Sequence, residues 1–138
     1  MKIGRVQRVP VRELWGREDT GFTVWLEQNV EVLGEVLGLQ LSVIEREHAV
    51  GPFRADLVAE DGEGRLVIIE NQLEPTNHDH LGKVVTYFAN LDAKTAIWVS
   101  TDPRHEHVKA VNWLNESTPA DQCFYAVLLK AVFIEEGI

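Results

Sequence analysis

The run LVIIENQ, residues 66–72, constrains the fold more than any other part of the sequence. Its first four residues are all apolar and do not alternate with polar ones, which predicts a β-strand covered on both faces. Such a strand lies in the middle of a sheet that has packed layers above and below it. The run nevertheless ends in Glu70, Asn71 and Gln72, so polar groups directly follow the most buried part of the chain.

Two further strands are predicted before this run. The segment FRADLVAE, residues 53–60, is joined to it by Gly62-Glu63-Gly64, which is typical of a hairpin loop. The segment LSVIEREHA, residues 41–49, precedes the turn signal Gly51-Pro52. The three strands therefore form an antiparallel meander.

Helices and strands alternate in the rest of the chain. A first helix is predicted from Asp19 or Thr20 to Gly38, because apolar residues recur there at helical spacing. The other predicted elements are a helix capped by Asn77 or Asp79 over 80–91, a strand over 94–101, a helix over 103–116 and one last strand over 123–136. The fold class is α/β, with a central mixed sheet of a three-strand meander plus a parallel strand after a crossover helix, flanked by helices.

Composition predicts one domain over residues 1–138, with a basic lead-in segment at 1–18 around VQRVPV and a core at 19–138. The single cysteine, Cys123, has no partner for an internal disulfide, and no secretory leader is recognisable. No apolar run approaches the ~20 residues of a membrane-spanning helix. We therefore expect a soluble cytoplasmic protein that has no membrane partner.

The net charge of −9 argues against a general nucleic-acid coat protein, because such proteins bind phosphates non-specifically through an excess of cations. The charge is uneven, since residues 1–18 hold five basic residues and two acidic ones. This segment either contacts phosphates locally or pairs with the acidic residues of the core.

The meander places Asp56 directly across from Glu70 if its loop is centred on Glu63. Opposed residues have Cβ atoms about 5 Å apart, and Gln72 shares their face by the two-residue period of a strand. Two carboxylates at this distance either share a proton or hold a hard cation such as Mg²⁺. The cation fits better, because the site lies where strands lead into a helix and no nucleophile lies beside it.

An aspartate, 13 intervening residues and Glu-x-Gln at the end of an apolar strand resemble the motif of the PD-(D/E)XK phosphodiesterase superfamily, which has the restriction-endonuclease-like fold. The resemblance covers about residues 20–100. More narrowly, VGPFRADL, IENQLE, DHLG, TYFANLDAKTAIWVS and VNWLNE resemble a family of short, largely uncharacterised prokaryotic proteins assigned to that fold. This narrower likeness covers nearly the whole chain.

The resemblance implies roles for individual residues. Asp56 and Glu70 would be metal ligands, together with the backbone carbonyl of Asn71. Gln72 would occupy the third catalytic position, where the superfamily usually has lysine. Lysine there orients the attacking water and offsets developing charge, whereas an amide orients water without bringing charge. Ala55 stands where the superfamily usually has proline.

The helix over 80–91 carries candidates for the missing charge. His80, Lys83 and Tyr87 fall on one face by spacings of three and four. An exonuclease subgroup of the superfamily has Gln-x-x-x-Tyr on this helix, facing the active site, and the pattern here is Lys83-x-x-x-Tyr87. Lys83 is thus either the catalytic cation or an exposed lysine, and His80 and Tyr87 are candidate substrate-binding residues.

The first helix contributes one more candidate. Asn29 lies near the middle of that helix's apolar arc, where many superfamily members have a glutamate that enters the site. It either bonds a metal-bound water near the substrate or serves as a hydrogen-bonded structural asparagine.

Other groups are open to two interpretations. His78 with His80, and His105 with His107, form two His-x-His pairs, but neither lies in a confidently predicted strand, so capping and surface roles are favoured over a zinc site. Glu47 either approaches Asp56 or lies on a solvated strand face. The four tryptophans are best explained by packing.

The leading hypothesis is a Mg²⁺- or Mn²⁺-dependent nuclease or nuclease-like domain that hydrolyses phosphodiester bonds in DNA. The alternative is a catalytically inactive domain of the same fold, a nucleic-acid-binding or regulatory homodimer assembled through the apolar last strand. A small-molecule enzyme that uses Asp56 and Glu70 as a proton-sharing pair is the third hypothesis.

Overall fold

The computed structural model describes residues 5–9, 11, 14 and 21–135, with side chains at 11, 14 and 21–130. Its elements, in chain order, are β1 (Arg5–Val9), α1 (Thr23–Gln28), α2 (Val30–Leu37), β2 (Ser42–Val50), β3 (Phe53–Glu60), β4 (Leu66–Pro75), α3 (His78–Asn90), β5 (Thr95–Asp102), α4 (His105–Ser117), β6 (Cys123–Leu128) and β7 (Ala131–Glu135).

The main sheet has five strands in the order β2-β3-β4-β5-β6. The strands β2, β3 and β4 form an antiparallel meander, whereas β5 and β6 run parallel to β4. This arrangement confirms the predicted α/β architecture and the central position of β4. None of the described helices combines the length and apolar composition needed to cross a bilayer.

Helices cover both faces of the sheet, as the uninterrupted apolar run of β4 predicts. On one face, here called the α1 face, Val67 and Ile69 pack with Phe22, the N-cap of α1, and with Leu33 of α2. On the opposite face, the α3 face, Ile68 packs in a cluster with residues of α3 and α4. All three β4 residues are fully buried. Alternation along β4 therefore continues Ile68 into Glu70 and Gln72 on the α3 face.

The first helix differs from its prediction because it is broken at Asn29. The side-chain Nδ2 of Asn29 donates to Trp25 O (2.8 Å), the carbonyl that the backbone N–H of Asn29 would take in a continuous helix. That N–H donates instead to Leu26 O (3.1 Å), and φ at Asn29 is −132°. The helix is thus divided into α1 and α2. The caps predicted at Asp19 and Thr20 lie outside the described residues.

The predicted single last strand is also wrong, since the chain leaves the main sheet after Leu128. β6 ends there, Leu129 N–H donates to Ser100 O (2.7 Å), and β7 pairs antiparallel with β1 in a separate two-stranded sheet. The lead-in segment thus contributes a strand at Arg5–Val9. One edge of β7 is consequently paired with β1 within the chain, and the homodimer through the last strand stays a prediction.

Candidate active site

Asp56 and Glu70 lie together where β3 and β4 separate. The last described register pair of these strands is Leu57 opposite Ile69, and the two acids are the next residues along. The backbone N–H of Asp56 donates to Glu70 Oε1 (2.9 Å), and the backbone N–H of Asn71 donates to Asp56 Oδ2 (2.8 Å). Each carboxylate is therefore fixed by the backbone of the opposite strand.

Glu70 is the more buried of the two acids, with 2% of its surface exposed. Burial raises the pKa of Glu70 well above its ordinary value, and the negative charge of Asp56 raises it further. The hydrogen bond from the Asp56 N–H and the positive charge of Lys83 act in the opposite direction. The site thus holds two carboxylates, and the charge of Asp56 disfavours the ionisation of Glu70.

α3 brings its predicted residues to these acids. Its N-cap Asn77 accepts from the backbone N–H of His80 through Oδ1 (2.9 Å), which sets where the helix begins. Lys83 Nζ lies 3.7 Å from Asp79 Oδ2, and its charge also lowers the pKa of His80, after the larger effect of burial. The pKa of Tyr87 is raised by burial and then by the charges of Glu70 and Asp56.

Three candidates from α3 are therefore within electrostatic range of the acid pair. Tyr87 keeps its proton at neutral pH because its pKa is raised, and His80 is neutral because its pKa is lowered. The side chain of Lys83 is 42% exposed and pairs with Asp79. Together they can offer hydrogen-bond donors and one cation beside two carboxylates.

Gln72 has no exposed surface, and its side-chain amide is engaged within the fold. Its Oε1 accepts from the indole N–H of Trp98 (3.1 Å). Its Nε2 donates to Pro75 O (3.0 Å) and to Glu74 Oε1 (3.3 Å). The amide is thus bonded at both ends, and a water held by Gln72 would share a donor or acceptor with these partners. Its catalytic role stays a prediction.

The two asparagine candidates differ from the acids in their surroundings. The Nδ2 of Asn71 donates to Thr23 Oγ1 (3.0 Å) of α1, which places this side chain on the α1 face. Asn71 Oδ1 is buried and has no hydrogen-bond partner among the described residues. Asn29 bonds Trp25 at the break between α1 and α2, the helices of the same face. The proposed roles of the Asn71 carbonyl and of Asn29 stay predictions.

Glu47 lies between the β2–β3 register pairs Arg46–Leu57 and His48–Ala55, which places it opposite Asp56. Its φ is 54°, its side chain is exposed, and its carboxylate lies 4.0 Å from an Nη of Arg54. The solvated interpretation of Glu47 therefore agrees with its surroundings.

A histidine cluster was missed by sequence reasoning. His78 Nδ1 and His107 Nε2 are 2.9 Å apart, so one histidine of each His-x-His pair meets one of the other pair. His107 is 5% exposed, which contradicts a surface role. The signal was available, because each histidine lies in the first turn of a helix that follows one of two adjacent parallel strands, and the carboxyl ends of such strands meet at one edge.

The donor set of the acid pair suits a hard divalent cation. Among the described residues, no three His, Cys, Asp or Glu side chains gather into a metal-ligand set. The acid pair therefore offers two carboxylates, and further ligands would be backbone carbonyls and water. Mg²⁺ is commonly bound by one or two carboxylates while it keeps several waters. The residues present fit such an ion.

Comparison with solved structures assigns the fold. A repair endonuclease from Pyrococcus abyssi matches with a TM-score of 0.66 and 14% identity, over 82% of this chain and 47% of that one. EndoMS, in a complex with double-stranded DNA, matches with a TM-score of 0.62 and 13% identity, over 80% of this chain and 44% of that one. The chain thus spans just under half the length of either protein.

These likenesses define a class of fold, the restriction-endonuclease-like PD-(D/E)XK fold, and the chain has that fold. No protein-family model and no curated protein matches the sequence. The narrower resemblance to a family of short prokaryotic proteins therefore stays a prediction.

Proposed function

We propose that the chain is a divalent-metal-dependent phosphodiesterase that acts on DNA. Asp56, Glu70 and the backbone carbonyl of Asn71 would hold Mg²⁺ or Mn²⁺. The observation that supports this most is the nearly complete burial of Glu70 against Asp56, with both carboxylates fixed by backbone N–H groups. A buried carboxylate beside a second, partly buried one destabilises a fold unless a proton or a cation compensates it, and a divalent cation offsets both charges.

The bound cation would supply the charge that polarises a phosphodiester and lowers the pKa of the attacking water. Lys83, whose charge already acts on Glu70, would offset the charge that develops on the phosphate oxygens. Tyr87 would donate a hydrogen bond because it stays protonated. The positive charge that lysine usually supplies at the third motif position would thus come from Lys83 on α3. Gln72, which occupies that position at the end of β4, is instead hydrogen-bonded to Trp98 of β5.

DNA is proposed as the substrate because the structural neighbours are a repair endonuclease and a protein bound to double-stranded DNA. The net charge of −9 means that contacts with phosphates depend on local cations rather than on the overall field. Residues beside the site therefore determine affinity.

A catalytically inactive nucleic-acid-binding or regulatory domain is the second candidate. The hydrogen bonds of Gln72 favour it, because they give the third motif position a structural use. Metal titration separates the two candidates, since an inactive domain would show no Mg²⁺ or Mn²⁺ binding that depends on Asp56.

Cleavage of plasmid and linear DNA in Mg²⁺ tests the leading proposal. Asp56→Ala and Glu70→Ala should each abolish cleavage, and Lys83→Met should reduce its rate about 10²-fold or more. Lys109→Met, which removes an exposed charge from α4, is the matched control and should leave the rate unchanged. Cleavage that survives in both alanine variants would refute the proposal.

A further inference from the structure

A cleft of about 480 Å³ lies at the end of β4, outside the acid pair. It is lined by residues 74–78, which connect β4 to α3, and by Arg104 and His107 at the start of α4. Three basic side chains, those of His78, Arg104 and His107, thus border one cavity on an otherwise acidic protein. None of them is used by the proposed cleavage chemistry.

A chain of hydrogen bonds organises these side chains. The backbone N–H of Arg104 donates to Thr76 Oγ1 (2.9 Å), and this hydroxyl lies 2.7 Å from His107 Nδ1. His107 Nε2 in turn lies 2.9 Å from Nδ1 of the exposed His78. Nδ1 of His78 is thereby hydrogen-bonded to His107, and Nε2 of His78 is the ring nitrogen that a ligand could contact. These hydrogen bonds hold the ring of His78 in one orientation and link its tautomer to that of His107: where Thr76 Oγ1 donates to His107 Nδ1, His107 Nε2–H donates to His78 Nδ1 and His78 carries its proton on Nε2.

Arg104 is arranged in a similar way. Its Nε donates to Thr76 O (3.0 Å), which anchors the guanidinium at the border of the cleft. Its two terminal nitrogens form no ion pair with a residue that the structure describes. A guanidinium held through Nε presents these nitrogens as a fork, which matches two oxygens of a phosphate group.

Glu74 is the acidic residue that lines this cleft, and Nε2 of Gln72 donates to its carboxylate (3.3 Å). The cleft therefore combines one acid with an arginine and an exposed histidine, and the guanidinium and the imidazole offer hydrogen-bond donors to an anion. α3 connects the cleft with the surroundings of the acid pair, since His78 precedes Lys83 by five residues, a rise of about 7.5 Å along the helix.

We propose that this cleft binds a phosphate group of the nucleic-acid strand, with Arg104 and His78 as its contacts and His107 as the residue that positions His78. The inference rests on the proposed function, because it assigns the strand beside the cleaved bond to a particular surface. It adds a binding site formed by the ends of β4 and α4 to the acid pair formed by β3 and β4.

Fluorescence anisotropy with a labelled DNA duplex in EDTA tests this site without cleavage. Arg104→Gln and His78→Ala should each weaken binding about tenfold, as the loss of a charge-assisted hydrogen bond predicts. Arg104→Gln should also reduce the slope of log K against log salt by about 0.9. The matched controls Lys109→Gln and His105→Ala alter exposed residues of α4 outside the cleft and should bind within twofold of the wild type.

The role of His107 has its own readout. Nitrogen NMR shifts of His78 should show one tautomer in the wild type and a mixture in His107→Gln, whose fold is checked by thermal unfolding. If His107→Gln unfolds, Thr76→Val is the substitute variant, because it removes the hydroxyl that bonds His107 Nδ1. It should give the same mixture of His78 tautomers. A mixed tautomer in the wild type would overturn the positioning role.

The outcomes separate the two proposals. If Arg104→Gln and His78→Ala bind DNA as the controls do, or if the wild type does not bind DNA, the phosphate site is refuted. If binding depends on these residues but the wild type cleaves no DNA in Mg²⁺, the phosphate site stands and the proposed cleavage fails.

Discussion

Replacing Glu70 with glutamine should stabilise the metal-free protein at alkaline pH. The pKa of Glu70 is raised by burial and by Asp56, so the folded state holds a proton at pH values where the unfolded chain has released it. Stability therefore falls as pH rises from about 4.3, the unfolded pKa, through the higher folded pKa. Glutamine has nearly the same shape as the protonated acid and does not ionise, so it removes this loss.

The magnitude follows from the size of the chain. Each unit by which the pKa is raised corresponds to about 1.4 kcal/mol of stability. The entropy of unfolding is about 2.1 cal/mol/K per residue, so 138 residues give a change in Tm of about 3.4 °C per kcal/mol. Glu70→Gln should therefore raise Tm by about 5 °C for each unit of the pKa rise at pH 8, and by almost nothing at pH 4.

Thermal unfolding in EDTA, followed by circular dichroism between pH 4 and pH 8, measures this difference. Glu116→Gln, at an exposed position of α4, is the matched control and should show no pH-dependent gain. An equal Tm difference at both ends of the pH range, or a less stable Glu70→Gln protein at pH 8, would refute the reasoning.

Three further predictions concern metal binding and buried hydrogen bonds. Mg²⁺ at 100 times its Kd should stabilise the wild type by about 2.7 kcal/mol, or about 9 °C in Tm, and Asp56→Ala should abolish this shift. Thr23→Val removes the acceptor of Asn71 Nδ2 and should lower stability by about 1–3 kcal/mol in chemical denaturation, whereas an unchanged midpoint would show that the bond contributes nothing. Trp98→Phe leaves Oε1 of Gln72 without its donor and should lower the free energy of unfolding by a similar amount in chemical denaturation, whereas a wild-type value would contradict a structural use of this bond.

The sequence predicts the centre of the fold well because burial there leaves few alternatives. β3 has the bounds that FRADLVAE predicts, and the loop at Gly62-Glu63-Gly64 sets the register that brings Asp56 to Glu70. These features depend on local apolar patterning and on one short turn. Both signals are contained within some twenty residues.

The missed features depend on competition between partners that only the folded chain brings together. Asn29 interrupts a helix because its side chain takes the Trp25 carbonyl, although helical spacing of apolar residues continues on both sides. The split after Leu128 depends on β1, which is more than a hundred residues away in the chain and pairs with β7. The contact between His78 and His107 requires two strand ends to be adjacent, so spacing within either His-x-His pair could not indicate it.

Anomalous diffraction from crystals soaked in Mn²⁺ tests the central claim most directly. We expect a single strong peak within coordination distance, about 2.2 Å, of carboxylate oxygens from both Asp56 and Glu70. Crystals that show no manganese between these two acids, while their backbone hydrogen bonds remain as described, would contradict the account.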